Sequence, residues 1–187
     1  MGRRKRSWHP NGFYHITMRG NNRQNIFNDK IDISEYYRIL TDTYYRYTFE
    51  VHAYCIMTNH VHLLIRSPQV HLGTLMRNIN KRYSDYYRKR HNYVGQIYQN
   101  RYFSEEIRDS TGLLKVSAYI HLNPVETKIP IVNRLEDYPY SSYPIYYYNK
   151  SPAFPFIRLD LLPQFLPKNT NQTKQAYIKW CLECKKK

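Results

Sequence analysis

Two histidines, His60 and His62, stand one residue apart inside the apolar run CIMTNHVHLLIRSP, residues 55–68. Side chains alternate faces along a strand, so residues i and i+2 project the same way with Cα atoms about 6.6 Å apart. Two imidazoles at that separation can share one cation, and a sheet holds them more rigidly than a loop would. The flanks YCIM and LLIR are apolar and would bury the surroundings of such a site. The plainer alternative is a surface strand with two exposed histidines. A second constellation lies in AYIHLNPV, residues 118–125. Tyr119 and Asn123 are four apart and share a helix face, with His121 roughly opposite. Asn supplies a neutral oxygen that suits a hard cation such as Mg²⁺ or Mn²⁺. A phenol of pKa about 10 is a poor nucleophile, but a divalent ion can polarise the phosphate it attacks. The product would be a covalent phosphotyrosine. Two ordinary readings compete. The chain has 21 tyrosines, so core packing is the default role of any one. Pro124 also disfavours helical geometry at Asn123, which would make that residue a helix cap.

The elements that must position these residues are legible from periodicity. FYHITMRGN alternates and ends on a turn signal, giving a strand over Phe13–Arg19. A polar loop, NRQNIF, follows. Tyr36, Ile39, Leu40, Thr43, Tyr44 and Tyr47 fall at helical spacing, with Ser34 a plausible start. Residues 49–57, a tight TNH turn and VHLLIR then form an antiparallel hairpin. A second helix carries Leu72, Leu75, Met76, Ile79, Tyr83 and Tyr86 on one side and Arg77, Lys81, Arg88 and Lys89 on the other. Residues 96–107 suggest a kinked fourth strand, and residues 110–124 a third helix closed by Pro124. Residues 135–148 are punctuated by proline and expected to be irregular, and two short helices follow. The order predicts an α+β fold: a ferredoxin-like antiparallel sheet with helices packed on one face, plus a helical C-terminal extension. The expected division is a basic arm over 1–12, one domain over 13–148 and the extension over 149–187.

Charge narrows the partner. The chain has 187 residues, with 29 Lys+Arg against 14 Asp+Glu, a formal charge of +15. Such a balance points to a polyanion. The three cysteines, Cys55, Cys181 and Cys184, include one C-x-x-C and no second pair to complete a zinc site, so they read as spare thiols in a reducing compartment. No run reaches the length and apolarity of a membrane span, and the basic start MGRRKRSWHP has no apolar segment behind it. The expectation is a cytoplasmic protein. No G-x-x-x-x-G-K-[ST] occurs, so no phosphate-cradling nucleotide loop is present.

Four segments in order, YHITMRGNNRQNIF, YCIMTNHVHLLI, YIHLNPV and DYPYSSY, resemble the HUH single-tyrosine transposases, specifically the REP-associated tyrosine transposases related to the IS200-type enzymes. The resemblance spans Tyr14 to Tyr143. It implies metal ligands at His60 and His62, a nucleophile at Tyr119 and a third ligand at Asn123. Insertion-sequence relatives often carry Gln at that last position, so Asn keeps the amide and shortens its reach. The implied activity is cleavage and rejoining of single-stranded DNA next to palindromic hairpins through a covalent 5′-phosphotyrosine, with Mg²⁺ or Mn²⁺ and without ATP. Insertion-sequence relatives pair and exchange the tyrosine helix, whereas REP-associated ones are expected to work alone, so monomer and homodimer both stay open. Within that picture Arg3, Arg4, Lys5, Arg6, Arg77 and Lys81 would hold phosphates. Arg19, Asn21, Asn22, Arg23 and Gln24 would read base edges of a guide sequence.

Two rivals remain. Metal-free two-histidine phosphoesterases use paired H-x-[ST] motifs, which His15-Ile16-Thr17 fits once and His60-Val61-His62 does not. A ferredoxin-like sheet could also bind hairpin DNA or RNA without cutting it.

Overall fold

The computed structural model describes residues 8–184, so the basic arm Arg3, Arg4, Lys5 and Arg6 lies outside the described residues. Strands β1 (Phe13–Arg19), β2 (Glu50–Ile56), β3 (His60–Arg66) and β4 (Phe103–Ile107) form one antiparallel sheet in the order β2-β3-β1-β4. That order is ferredoxin-like. The kinked fourth strand resolves into β4 preceded by a single bridge between Gly20 and Tyr98. Helices α1 (Lys30–Arg46) and α2 (Leu72–His91) lie side by side, joined by Thr43 Oγ1 donating to Asn78 Oδ1 at 3.2 Å and by Arg82 to Asp42 at 2.6 Å. Tyr37 of α1 packs edge-on against Tyr54 of β2 at 6.0 Å, which sets this pair on the face of Tyr54, Leu63 and Ile16. Phe27, Tyr36 and Tyr83 fill the space between with ring centroids 5.0 to 5.4 Å apart.

The one-face expectation describes α1 and α2. Helix α3 (Ser110–Leu122) instead crosses the opposite face, against β2 and β3. The reason is in the strands: β2 and β3 are buried at almost every position, so both faces need cover. Residues 135–148 are not wholly irregular, since Tyr143–Tyr147 forms a short helix, α4. Two more helices, α5 (Leu161–Gln164) and α6 (Lys174–Cys184), follow, and α6 packs on α3 and α4. None of the described helices is long and apolar enough to cross a membrane.

Helix α1 begins at Lys30, four residues before Ser34, because Asp29 is its cap, accepting from Ile31 N at 2.9 Å and Asp32 N at 3.1 Å. On α2 the fully buried tyrosines are Tyr83 and Tyr87, while Tyr86 is half-buried with its hydroxyl on Asp32. Residues 20–27 are tied to the β2–β3 turn: Gly20 N donates to Asn59 O at 2.8 Å, and Ile26 N and Phe27 N both donate to Thr58 O at 2.9 Å. Gly20 has ordinary backbone angles, yet a Cβ there would lie 2.2 Å from the Gln24 carbonyl oxygen. Gly20→Ala is therefore expected to displace the loop and cost about 1–3 kcal/mol, read from a urea midpoint. An unchanged midpoint would show that the loop does not close this tightly.

Candidate active site

The pleat places His15, Thr17, His60 and His62 on one face, because His62 pairs with Thr17 and Leu64 with His15 across β1 and β3. Helix α3 lowers Tyr119 onto this face. Its ring meets His62 edge-on at 5.4 Å and His15 at 5.8 Å. Tyr119 is 48% exposed, so its ring is open to solvent, unlike the buried tyrosines of the core. Tyr119, His62, His15, Thr17, Arg19, Arg101 and Lys115 share one open cleft of about 670 Å³. The two histidines and the tyrosine thus come together on one face, and Arg19 lines the cleft with His62 and Tyr119.

Asn123 caps α3 while keeping helical angles (φ −46°, ψ −43°) in spite of Pro124. Its amide does two things. Nδ2 donates to Tyr119 O at 2.8 Å, which fixes the amide's orientation, and Oδ1 then faces His60 Nε2 at 3.3 Å. The other nitrogen of His60, Nδ1, faces Asn59 Oδ1 at 2.6 Å, and Asn59 is itself oriented by Nδ2 donating to Arg23 O. His60 is therefore held between two acceptors. A neutral imidazole has one N–H and can satisfy only one of them. Protonation would satisfy both, but burial first, then Arg19, outweighs the help from Asn123 and holds His60 below its ordinary pKa. A cation between them would reconcile the ring lone pair with the amide oxygen. Donors that share an ion at about 2.1 Å each stand roughly 3 Å apart.

The second imidazole suits the same ion. His62 Nε2 is buried and has no hydrogen-bond partner. His62 Nδ1 contacts His15 Nε2 at 2.9 Å and Thr17 Oγ1 at 3.1 Å. If Nδ1 carries the proton and donates to His15, Nε2 keeps a lone pair for a ligand, the arrangement common behind metal-bound histidines. Burial, then the neighbouring His60, His15 and Arg19, push His62 down to about 2, and burial pushes His15 down to about 4, so both rings are neutral at physiological pH. No cluster of three or more His, Cys, Asp or Glu side chains able to hold a metal occurs among the described residues, so an ion here would rest on two imidazoles and an amide.

The other sequence-stated residues are more scattered. Asn21, Asn22 and Arg23 form one exposed turn, with Asn22 and Arg23 at φ of 47° and 58°, and Gln24 Nε2 donates to Tyr93 Oη at 3.1 Å. Arg77 and Lys81 lie on the exposed side of α2, away from the histidines. His15, Thr17, Asn59, Arg101 and Lys115 were not among the sequence-stated site residues. His15-Ile16-Thr17 was visible only as half of a phosphoesterase pair, and here both side chains instead support the ring of His62. His121, on the far side of α3 from Tyr119, is wholly buried, with Nε2 2.8 Å from Ser142 Oγ and Nδ1 3.3 Å from Tyr177 Oη. Tyr177 Oη also donates to Ser117 Oγ at 2.8 Å, so α6 fastens the helix that carries Tyr119.

Residues 9–123, more than half the chain, match the family described as "Transposase IS200 like". A Haemophilus influenzae protein assigned the name REP-associated tyrosine transposase is 32% identical over 122 residues, 59% of this chain and 68% of that protein. A solved structure, described as a REP-associated tyrosine transposase bound to a REP hairpin, superposes with a TM-score of 0.67 at 19% identity, covering 81% of this chain and 89% of that one, which establishes a common fold. The chain accordingly belongs to the IS200-like transposases, DNA strand-transferring enzymes, and within them to the REP-associated tyrosine transposases.

Proposed function

We propose that this protein cleaves and rejoins single-stranded DNA beside palindromic hairpins, with Tyr119 as nucleophile and a Mg²⁺ or Mn²⁺ ion on His60, His62 and Asn123. The observation that carries the reading is His60, held between two oriented amide oxygens beside the unpartnered nitrogen of His62. A divalent ion bound there would polarise a phosphate and offset its growing charge. The chain's own residues supply the rest. Arg19, Arg101 and Lys115 line the cleft and hold the scissile phosphate beside the phenol. The Tyr119 oxygen bonds to phosphorus as the bond to the 3′ oxygen breaks. The DNA 5′ end becomes a tyrosyl phosphodiester, and the 3′ oxygen leaves with a proton. Attack by a 3′-hydroxyl on that phosphodiester reverses the exchange, so no nucleotide triphosphate is consumed. The hairpin partner is supported by the relative bound to one and by the net charge of +15. Asn21, Asn22 and Arg23 are open to solvent and, with the half-buried Gln24, are assigned to guide recognition, while Arg77 and Lys81 on α2, with Arg3, Arg4, Lys5 and Arg6, are assigned to phosphates.

Chelation tests the metal. With EDTA, formation of the tyrosyl adduct on a hairpin strand is expected to stop, and Mn²⁺ in excess to restore it. An adduct formed at full rate in EDTA would overturn the ligand assignment. His15→Ala is expected to weaken Mn²⁺ binding about 10–100-fold, as loss of an orienting partner does, measured by electron paramagnetic resonance without DNA. Unchanged Mn²⁺ affinity would mean that His15 does not orient His62.

A further inference from the structure

Helix α3 packs over β2 and β3, and the cleft beside it opens over β1 and β4. Strand register identifies its floor. Thr17 pairs with Phe103 and His15 with Glu105, so Phe103 and Glu105 point to the side of His15, His62 and Tyr119. Glu106 turns to the opposite face, across from Tyr14. Among the described residues that line the cleft, Glu105 is the one carboxylate, and it is exposed. We infer that Glu105 is the general base that takes the proton of Tyr119; this rests on the strand-transfer reading above.

Charge gives the first argument. Glu105 stands in the cleft with Arg19, Arg101 and Lys115, yet it has no ion pair among the described residues. A fixed carboxylate repels phosphates, a cost that a surface built only to hold DNA would not carry. Nearby phosphates favour the protonated form of a carboxyl, so a bound strand readies such a group to hold a proton. Elimination gives the second. Arg19, Arg101 and Lys115 are cationic, and Thr17, Gln99 and Asn100 take up no proton near neutral pH. His62 keeps its free nitrogen for the ion. With the His62 Nδ1 proton donated to His15 Nε2 at 2.9 Å, the proton of His15 itself lies on Nδ1, and no lone pair is left on that ring. Lys115 completes the arrangement. It precedes Tyr119 by one helical turn on the exposed side of α3, where its ammonium favours a phenolate. The phenol proton passes to Glu105 as the Tyr119 oxygen bonds to phosphorus. The bond to the 3′ oxygen breaks with its electron pair on that oxygen, which takes a proton from solvent in the open cleft. In the return step the attacking 3′-hydroxyl releases its proton to solvent, and Glu105 gives its own back to the departing phenolate.

The test uses the full chain and a synthetic hairpin strand from the DNA flanking its gene. Glu105→Gln is expected to slow formation of the tyrosyl adduct about 10²–10⁴-fold, with hairpin affinity no weaker and Mn²⁺ affinity unchanged. Formate should restore part of the rate to Glu105→Ala and leave the native rate as it was, a result that a misfolded variant cannot give. A strand with sulfur in place of the scissile 3′ oxygen separates base from acid, because a thiolate leaves without a proton. Glu105→Gln should keep its full defect on that strand. A native rate in Glu105→Gln, or a defect erased by the sulfur, would remove Glu105 as the base and leave Tyr119 in place. Weakened Mn²⁺ binding by Glu105→Gln would make Glu105 a ligand and likewise end the assignment. Absence of any adduct from the native protein would instead overturn strand transfer, and the base with it.

Discussion

Tyr119→Phe is expected to form no covalent adduct with a labelled hairpin strand in Mn²⁺, and to lose at least about four orders of magnitude in cleavage rate, as loss of a covalent nucleophile does. The phenyl ring would keep its edge contacts with His15 and His62. The side chain is half exposed, so the missing hydroxyl strands no buried partner. Thermal stability should then stay within about 0.5 kcal/mol, and hairpin affinity should be preserved. A denaturing gel separates the outcomes. An adduct on the Phe protein would remove Tyr119 from the mechanism. A native protein that binds the hairpin in Mn²⁺ and never forms an adduct would favour the non-cutting hairpin binder.

Asp32→Ala is expected to cost about 2–4 kcal/mol of stability, since it breaks a buried ionic network. The Asp32 side chain is fully buried at the start of α1. It accepts from Asn28 N at 2.8 Å and from Tyr86 Oη at 2.9 Å, faces His91 Nε2 at 3.0 Å, and pairs with Arg90. These partners come from the loop before α1 and the last turns of α2, so one carboxylate joins three segments. Burial alone would raise its pKa, but the Asn28 amide, His91, Tyr86 and Arg90 outweigh it and hold the carboxyl below its ordinary value. The sign follows. A carboxyl with a depressed folded pKa contributes stability that is complete above its unfolded pKa, about 3.9, and is lost as pH falls further. Urea midpoints of the native protein should fall below about pH 4. The Ala variant should start lower and lose less over the same range. Parallel pH profiles for the two proteins would show that Asp32 is not the group responsible.

Periodicity carried much of this architecture. Alternation in Phe13–Arg19 and the spacing of Leu72, Leu75, Met76 and Ile79 are local signals, and each element formed where its pattern ran. The projection of His60 and His62 to one side follows from pleat geometry alone. What could not be read depends on pairing between distant segments. Nothing local says that Thr17 sits opposite His62, because strand register is set by the whole sheet. The roles of Asn59 and Asn123 hinge on amide orientations fixed by the carbonyls of Arg23 and Tyr119. Asp29 lost to Ser34 as the expected cap because the first turn of α1, Lys30 to Ile33, carries a weak apolar pattern that hides the helix start.

The bond from Tyr177 to α3 has a consequence in time. His121 and Ser117 receive their partner from a residue 56 to 60 positions later in the chain. On a translating ribosome, Tyr119 emerges long before the hydroxyl that anchors its helix from behind. Until α6 has left the exit tunnel, Ser117 and His121 Nδ1 on that helix lack the Tyr177 hydroxyl. The seating of Tyr119 is thereby linked to the arrival of α6.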